Sequence, residues 1–220
     1  MILQIADILS SEKQAEICDA LAQEDAQFTS GKATAGWHAK AVKDNEQSNG
    51  LAAQAAIETV KAAVLSHPVF MSAARPKAFV KLLVSRYKPG MHYGRHVDDA
   101  LMGGVRTDLS FTLFLSDPTS YDGGELRIEG HDGDMDVKLP AGGLVLYPTT
   151  QLHQVTEITR GERLAIVGWV RSFIRNAEQR ETLFELDHVV AQLRPRDTDR
   201  ALLDQVFKVR NTLTRMWAED

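Results

Sequence analysis

The chain has 220 residues, 44% of them hydrophobic and 25% charged, with a formal net charge of -5. That size and apolar content suit one globular unit with a substantial core, and the acidic balance argues against nucleic acid as a partner, which ordinarily requires a basic surplus. No apolar run approaches the ~20 residues of a membrane span, the N-terminus lacks the basic n-region of a secretory signal, and the single cysteine makes no intrachain disulfide, so a cytoplasmic setting without membrane contact is expected.

Residues 1–9 read as a short strand or lead-in. Ser11-Glu12-Lys13-Gln14 is a capping box, which predicts a helix to about Gln23 with Ile17, Cys18 and Leu21 on its buried stripe. Cys18 is read as a small core residue. Residues 24–34 are polar, either irregular or an edge strand. Gly36 suggests a bend and residues 43–45 a turn. His38 lies between them and is read as a loop histidine, because no second ligand stands at suitable spacing. Residues 50–65 are alanine-rich with Ile57, Val60 and Val64 on one face, a second helix. His67-Pro68 ends it, since the residue before proline avoids helical backbone, and residues 69–74 allow one further turn.

From Ala78 the period changes to two. Residues 78–87 form a strand whose Val80, Leu82 and Val84 should pack on the helices. Lys81, Leu83, Ser85 and Tyr87 should face a cavity. Pro89-Gly90 is a turn, and Gly94 begins a strand carrying His96. Residues 100–107, with Gly103-Gly104, read as a mobile loop. Residues 108–116 alternate strongly and form a strand. Strands follow at 125–129, 136–139, 144–147, 152–158 and 163–172, with turns at 117–124, 130–134, 140–143 and 159–162. His131 falls in one of these turns and should be exposed. The last segments are helical, 178–193 and 197–217, separated by Arg194-Pro195. His188, at helical spacing among hydrophobic residues, is not taken as a ligand. The hairpin's apolar stripes can pack on its own barrel or on a second copy, which would make a homodimer.

Short strands at roughly ten-residue spacing indicate a sandwich or jelly roll. The expected fold is mainly β with α: a double-stranded β-helix (jelly-roll) core with N-terminal covering helices and a C-terminal αα-hairpin. The expected division is 1–77 as support region, 78–176 as core and 177–220 as helical appendage.

The chemistry centres on Arg86 to Asp99. His96 and Asp98, two apart on extended chain, project to one side and can grip a single ion. His153, 55 residues after Asp98 at the head of another strand, is the best third ligand. Two histidines and one carboxylate on one face of an ion leave the opposite positions open, the facial triad of non-haem Fe(II) oxygenases. A 2-oxo acid can occupy two open positions, and its distal carboxylate then needs a fixed cation. Arg163, ten residues after His153, can clamp it in bidentate fashion, and Tyr87 can add a phenol donor. Thr150, Ser85 and Ser110 are further candidates. Asp99 has the wrong parity to share the ion and is read as a substrate or loop contact.

The chain resembles the 2-oxoglutarate- and Fe(II)-dependent oxygenases of the prolyl-hydroxylase type, and more closely the bacterial PKHD-type hydroxylases associated with iron uptake. Thr34-Ala35-Gly36, Val42-Lys43 and Asn45 echo that family's N-terminal signature. Residues 108–118, with Tyr121 to Leu126, match its central strands. Residues 180–186 and 211–217 match its helical tail. Asp44 and Ser48 depart from the pattern, away from the ligands. The resemblance implies iron on His96, Asp98 and His153, 2-oxoglutarate on Arg163, L-ascorbate (vitamin C) as auxiliary reductant, and hydroxylation of a peptide or small-molecule substrate with release of succinate and CO2. Two other functions are weighed: an oxygenase repairing alkylated nucleic acid, which would need a basic groove and a base-stacking pocket, and a cupin-like metal sensor, which would not need Arg163.

Overall fold

The computed structural model describes residues 1–24, 27–195 and 199–219. The first third contains β1 (Leu3–Ile5), α1 (Ser11–Gln23), β2 (Phe28–Ser30), β3 (Lys43–Asp44), β4 (Glu46–Ser48), α2 (Leu51–Ser66) and α3 (Pro68–Ala74). Then come β5 (Pro76–Tyr87), β6 (His92–His96), β7 (Leu101–Met102), β8 (Val105–Arg106), β9 (Leu109–Phe114), β10 (Asp122–Gly123), β11 (Leu126–Ile128), β12 (Met135–Val137), β13 (Leu144–Pro148), β14 (His153–Val155), β15 (Ile158–Arg160) and β16 (Arg163–Ser172). Two long helices close the chain, α4 (Ala177–Leu193) and α5 (Arg200–Trp217). The predicted start of the last helix at Asp197 lies outside the described residues.

An antiparallel seven-stranded sheet runs β1-β13-β9-β16-β5-β4-β2, and a five-stranded one runs β12-β11-β14-β6-β3. The two sheets form a jelly roll. Two apolar clusters hold it together. One lies between the large sheet and α1 to α3, and includes Leu21, Val60, Phe70, Val84, Phe111, Leu113 and Ile166. The other lies between the sheets, where Phe114, Val145 and Tyr147 meet Leu126, Ile128 and Val155. All six residues of β9 are buried because both its faces are covered.

Several expectations change in detail. Ser10, not Ser11, caps α1: it is extended, and its Oγ accepts from the Lys13 amide at 3.3 Å. Gln14, the far member of the predicted box, instead donates to the carbonyl of Leu115 across the core. On β5, Phe79 takes the core position expected of Val80. The register slips between Trp169 and Val170, which shifts the alternation of β5 at this point. Residues 101–106 are a hairpin rather than a loop, with Gly103 and Gly104 at φ +57 and +79, the two positive values a tight two-residue turn requires. Residues 43–45 are not a turn. The chain passes from β3, paired with β6 in the small sheet, to β4, paired with β5 in the large one, and so joins the two sheets along this edge. Part of the expected turn at 159–162 is β15, which pairs with β10.

The helical tail is held by charge as well as packing. Asp187 of α4 receives Arg75 and Arg210, and Arg75 sits at φ +44 at the end of α3 while it makes this pair. α5 has no fully buried residue, and Leu202, Val209 and Met216 are half or more exposed.

Phe111 is wedged between Phe70 and Phe79, with ring centroids at 5.8 and 6.3 Å, and lies over Gly168, where an added Cβ would come within 2.4 Å of its ring. Phe111→Ala should therefore cost about 3–5 kcal/mol and Gly168→Ala about 1–3 kcal/mol through overpacking. Denaturant midpoints with an unchanged slope would check both.

Candidate metal centre

His96 closes β6 and His153 opens β14, and the two residues are direct partners across that antiparallel pair. Their ring centroids are 4.3 Å apart. Asp98 follows just past the end of β6, with its Oδ1 3.9 Å from His153 Nε2. One ligand atom from each of the three lies within 4.8 Å of the others.

The surroundings orient each group. His96 Nδ1 lies 2.8 Å from the carbonyl of Gly94, and His153 Nδ1 lies 3.0 Å from that of Gln151. A carbonyl only accepts, so both Nδ1 atoms carry the proton and both Nε2 lone pairs are free. The Ser110 hydroxyl donates to Asp98 Oδ2 at 2.5 Å, which leaves Oδ1 for another partner. Tyr93 stacks on His96 at 3.6 Å, and Tyr147 meets His153 edge-on at 5.1 Å. Burial lowers the His96 pKa to about 4; His153 adds to the shift, while the Gly94 carbonyl and Asp98 oppose it. The imidazole is thus neutral near pH 7, the form that binds metal. Two neutral imidazoles and one carboxylate, held with their free atoms converging, fit a divalent ion in facial coordination.

Arg163 begins β16, directly opposite Tyr87 of β5. It is 1% exposed, and none of its three guanidinium nitrogens has a hydrogen-bond partner. The rings of Tyr87 and Phe114 lie 5.3 and 5.1 Å from its Cζ. Gly124 admits it: a Cβ there would sit 3.0 Å from Arg163 Cδ. A buried guanidinium without an anion beside it is costly. The Tyr121 hydroxyl is buried near it; burial raises its pKa and the charge of Arg163 pulls it back.

The cavity brings together His96, Asp98, Asp99, His153, Arg163, Tyr87, Ser85 and Ser110, all singled out above. Asp99 is exposed at its rim, and Thr107 Oγ1 donates to its backbone carbonyl at 2.6 Å. Thr150 is exposed and does not line the cavity. His38, His131 and His188 are all exposed and take no part in the cluster. Asn45 gained no role from pattern alone. It is 3% exposed, lines the cavity, and both its amide atoms lack hydrogen-bond partners. Lys43, named like Asn45 only within the family signature, and Tyr93 also line the cavity. Lys43 and Asn45 lie where the chain crosses between sheets and so leave no periodic trace.

A sequence profile of the 2OG-Fe(II) oxygenase superfamily matches residues 82–171. The chain is 51% identical to a PKHD-type hydroxylase of Maricaulis maris and 50% identical to one of Parvibaculum lavamentivorans, each covering 100% of both chains. In fold it resembles a prolyl-4-hydroxylase of Pseudomonas putida (TM-score 0.55, 24% identity, 78% of this chain and 92% of that one). It also resembles a prolyl hydroxylase of Trichoplax adhaerens solved with a peptide fragment of hypoxia inducible factor (TM-score 0.62, 16% identity, 83% and 86%). No helix among the described residues is long and apolar enough to cross a membrane.

The lowered pKa of His96 has a consequence for the metal-free protein. Its folded value, about 4, lies below the ordinary 6.5, so as pH falls through that window the unfolded chain takes up a proton that the folded chain refuses. This group's contribution is neutral above 6.5 and becomes destabilising between about 6.5 and 4, by up to about 1.4 kcal/mol per pH unit. Chemical denaturation at stepped pH should show a steeper acid loss in the wild type than in His96→Gln. Parallel slopes would contradict it.

Proposed function

The chain belongs to the PKHD-type hydroxylases, which are 2-oxoglutarate- and Fe(II)-dependent oxygenases, and on that footing we propose that His96, Asp98 and His153 hold its iron while Arg163 anchors the co-substrate. What carries the reading is a convergent two-histidine, one-carboxylate set sharing a cavity with a fully buried, unpaired guanidinium. A protein that only senses metal has no use for the second feature.

When bound, Fe(II) supplies the redox chemistry by which O2, 2-oxoglutarate and a substrate C–H become succinate, CO2 and a C–OH. The chain's own residues do the rest. Nδ1–H bonds to Gly94 and Gln151 fix both imidazoles with Nε2 inward, and Ser110 fixes the carboxylate of Asp98. Arg163 takes the distal carboxylate of 2-oxoglutarate, with the Tyr87 phenol beside it. Burial pushes the Tyr87 pKa up although Arg163 opposes, so the phenol keeps its proton to donate. Apolar walls from Phe114, Leu126 and Val155 exclude water around the co-substrate. Asp99, exposed at the rim, contacts substrate. L-ascorbate serves as auxiliary reductant. We take the substrate to be a small molecule or a peptidyl prolyl side chain, acted on in the cytoplasm in a setting that the family resemblance links to iron uptake.

Purified protein given Fe(II), 2-oxoglutarate and ascorbate should release succinate even without a primary substrate, and His96→Ala should abolish this. Arg163→Met should raise the KM for 2-oxoglutarate at least about 30-fold, roughly 2 kcal/mol. Undiminished turnover in His96→Ala contradicts the assignment.

A further inference from the structure

The inner face of the large sheet is a ladder of cross-strand rows. Along β16 and β5, Arg163 stands opposite Tyr87 at one end, and Trp169 stands opposite Lys81 at the other. Trp169 also pairs with Ser110 of β9, whose hydroxyl holds Asp98. Six residues of extended chain separate the two rows, about 20 Å at ~3.3 Å per residue. A five-carbon diacid seated on Arg163 is too short to reach the Lys81 row.

The far row is rich in donors with nothing to donate to. Lys81 lines the cavity and makes no ion pair among the described residues. The Trp169 Nε1 hydrogen is buried without a partner. From the small sheet, Lys43 enters the same lining and is 4% exposed. Its Nζ donates to Thr34 Oγ1 at 2.9 Å and lies 5.1 Å from the Tyr93 ring, so its immediate partners are neutral. Burial, and then the charge of Lys81, push the Lys43 pKa down to about 8, with Asp98 opposing. Two ammonium groups that feel each other across a cavity, with no carboxylate bound to either, are an expensive arrangement unless an anion joins them. Neither nearby carboxylate is bonded to a lysine. Asp98 belongs to the triad and to Ser110, and Asp99 rests over Gly36, where a Cβ would come within 2.6 Å of its Oδ2.

We propose that Lys81, Lys43 and Trp169 form an oxyanion subsite for the primary substrate, so that the molecule hydroxylated beside the triad carries a carboxylate or a phosphate. The inference rests on the assignment of the triad and Arg163 given above, and it narrows the substrate class to anions. Among prolyl or other small substrates it selects those presenting an acidic group next to the reacting carbon rather than neutral ones.

The test is an anaerobic calorimetric titration of the Fe(II)-loaded protein, saturated with 2-oxoglutarate, with acetate and with inorganic phosphate at constant ionic strength. At least one of the two should bind a single saturable site, and the tighter of them identifies the group on the substrate. Lys81→Gln should weaken that binding at least tenfold, Lys81→Arg should retain it, and Lys43→Met should weaken it as well. The midpoint of the absorption change induced by 2-oxoglutarate should be the same in Lys81→Gln as in the wild type, which also shows the variant to be folded. No saturable site in the wild type, or equal affinity in Lys81→Gln, overturns the proposal. So does a tenfold shift in the 2-oxoglutarate midpoint, which would give the lysines to the co-substrate. Absence of any 2-oxoglutarate-induced change in the wild type strikes the triad and Arg163 assignment instead, and the two oxyanion titrations still judge the subsite.

Discussion

The register of β6 against β14 decides whether there is a site at all. His96 and His153 face each other across this pair, and a slip of one strand by one residue would turn its imidazole outward and part the two ligands. The pairing also contains an irregularity between His153 and Val155, opposite residues 93 to 96. In a regular strand, residues three apart project to opposite sides. The irregularity instead lets Tyr93 lie inside the cavity, flat against His96. The small sheet fixes this register from both flanks, with β11 on β14 and β3 on β6. Asp98 hangs beyond the end of β6 and is positioned from the opposite sheet, through Ser110. The cluster therefore forms only when the two sheets are closed on each other.

The large sheet carries the complementary half of the chemistry. Its helix-facing residues make the main core, and its inner residues alternate with them along the same strands. On β16, Ile166 and Val170 serve stability while Arg163 and Trp169 line the cavity. Arg163 is the costliest residue in that arrangement, a guanidinium wholly out of water with the rings of Tyr87 and Phe114 beside it. Its burial is what the proposed seat for an anionic co-substrate would account for.

Much of this was legible in the sequence because it depends on short-range rules. Period-two alternation marked β5, β9 and β16, and the spacing of His96, Asp98, His153 and Arg163 anticipated that they share one cavity. The failures share one cause, contacts made across the fold. Val80 lost its place to Phe79 through a register slip that only the neighbouring strand β16 reveals. Residues 43–45 looked like a turn because Asp44 and Asn45 favour turns, but their backbone joins two sheets instead. Ser110 was no more than one hydroxyl among three candidates until the sheets brought it to Asp98. Lys43 and Asn45 sit on that joining segment, where no periodicity marks a residue as facing inward.

The most direct measurement is the anaerobic binding stoichiometry of a divalent ion, Fe(II) or redox-silent Mn(II), in the wild type and in Asp98→Ala. The account predicts one ion per chain in the wild type and loss of tight binding in the variant, with the fold intact by circular dichroism. An ion bound equally well without the Asp98 carboxylate, or no stoichiometric ion in the wild type, would contradict it.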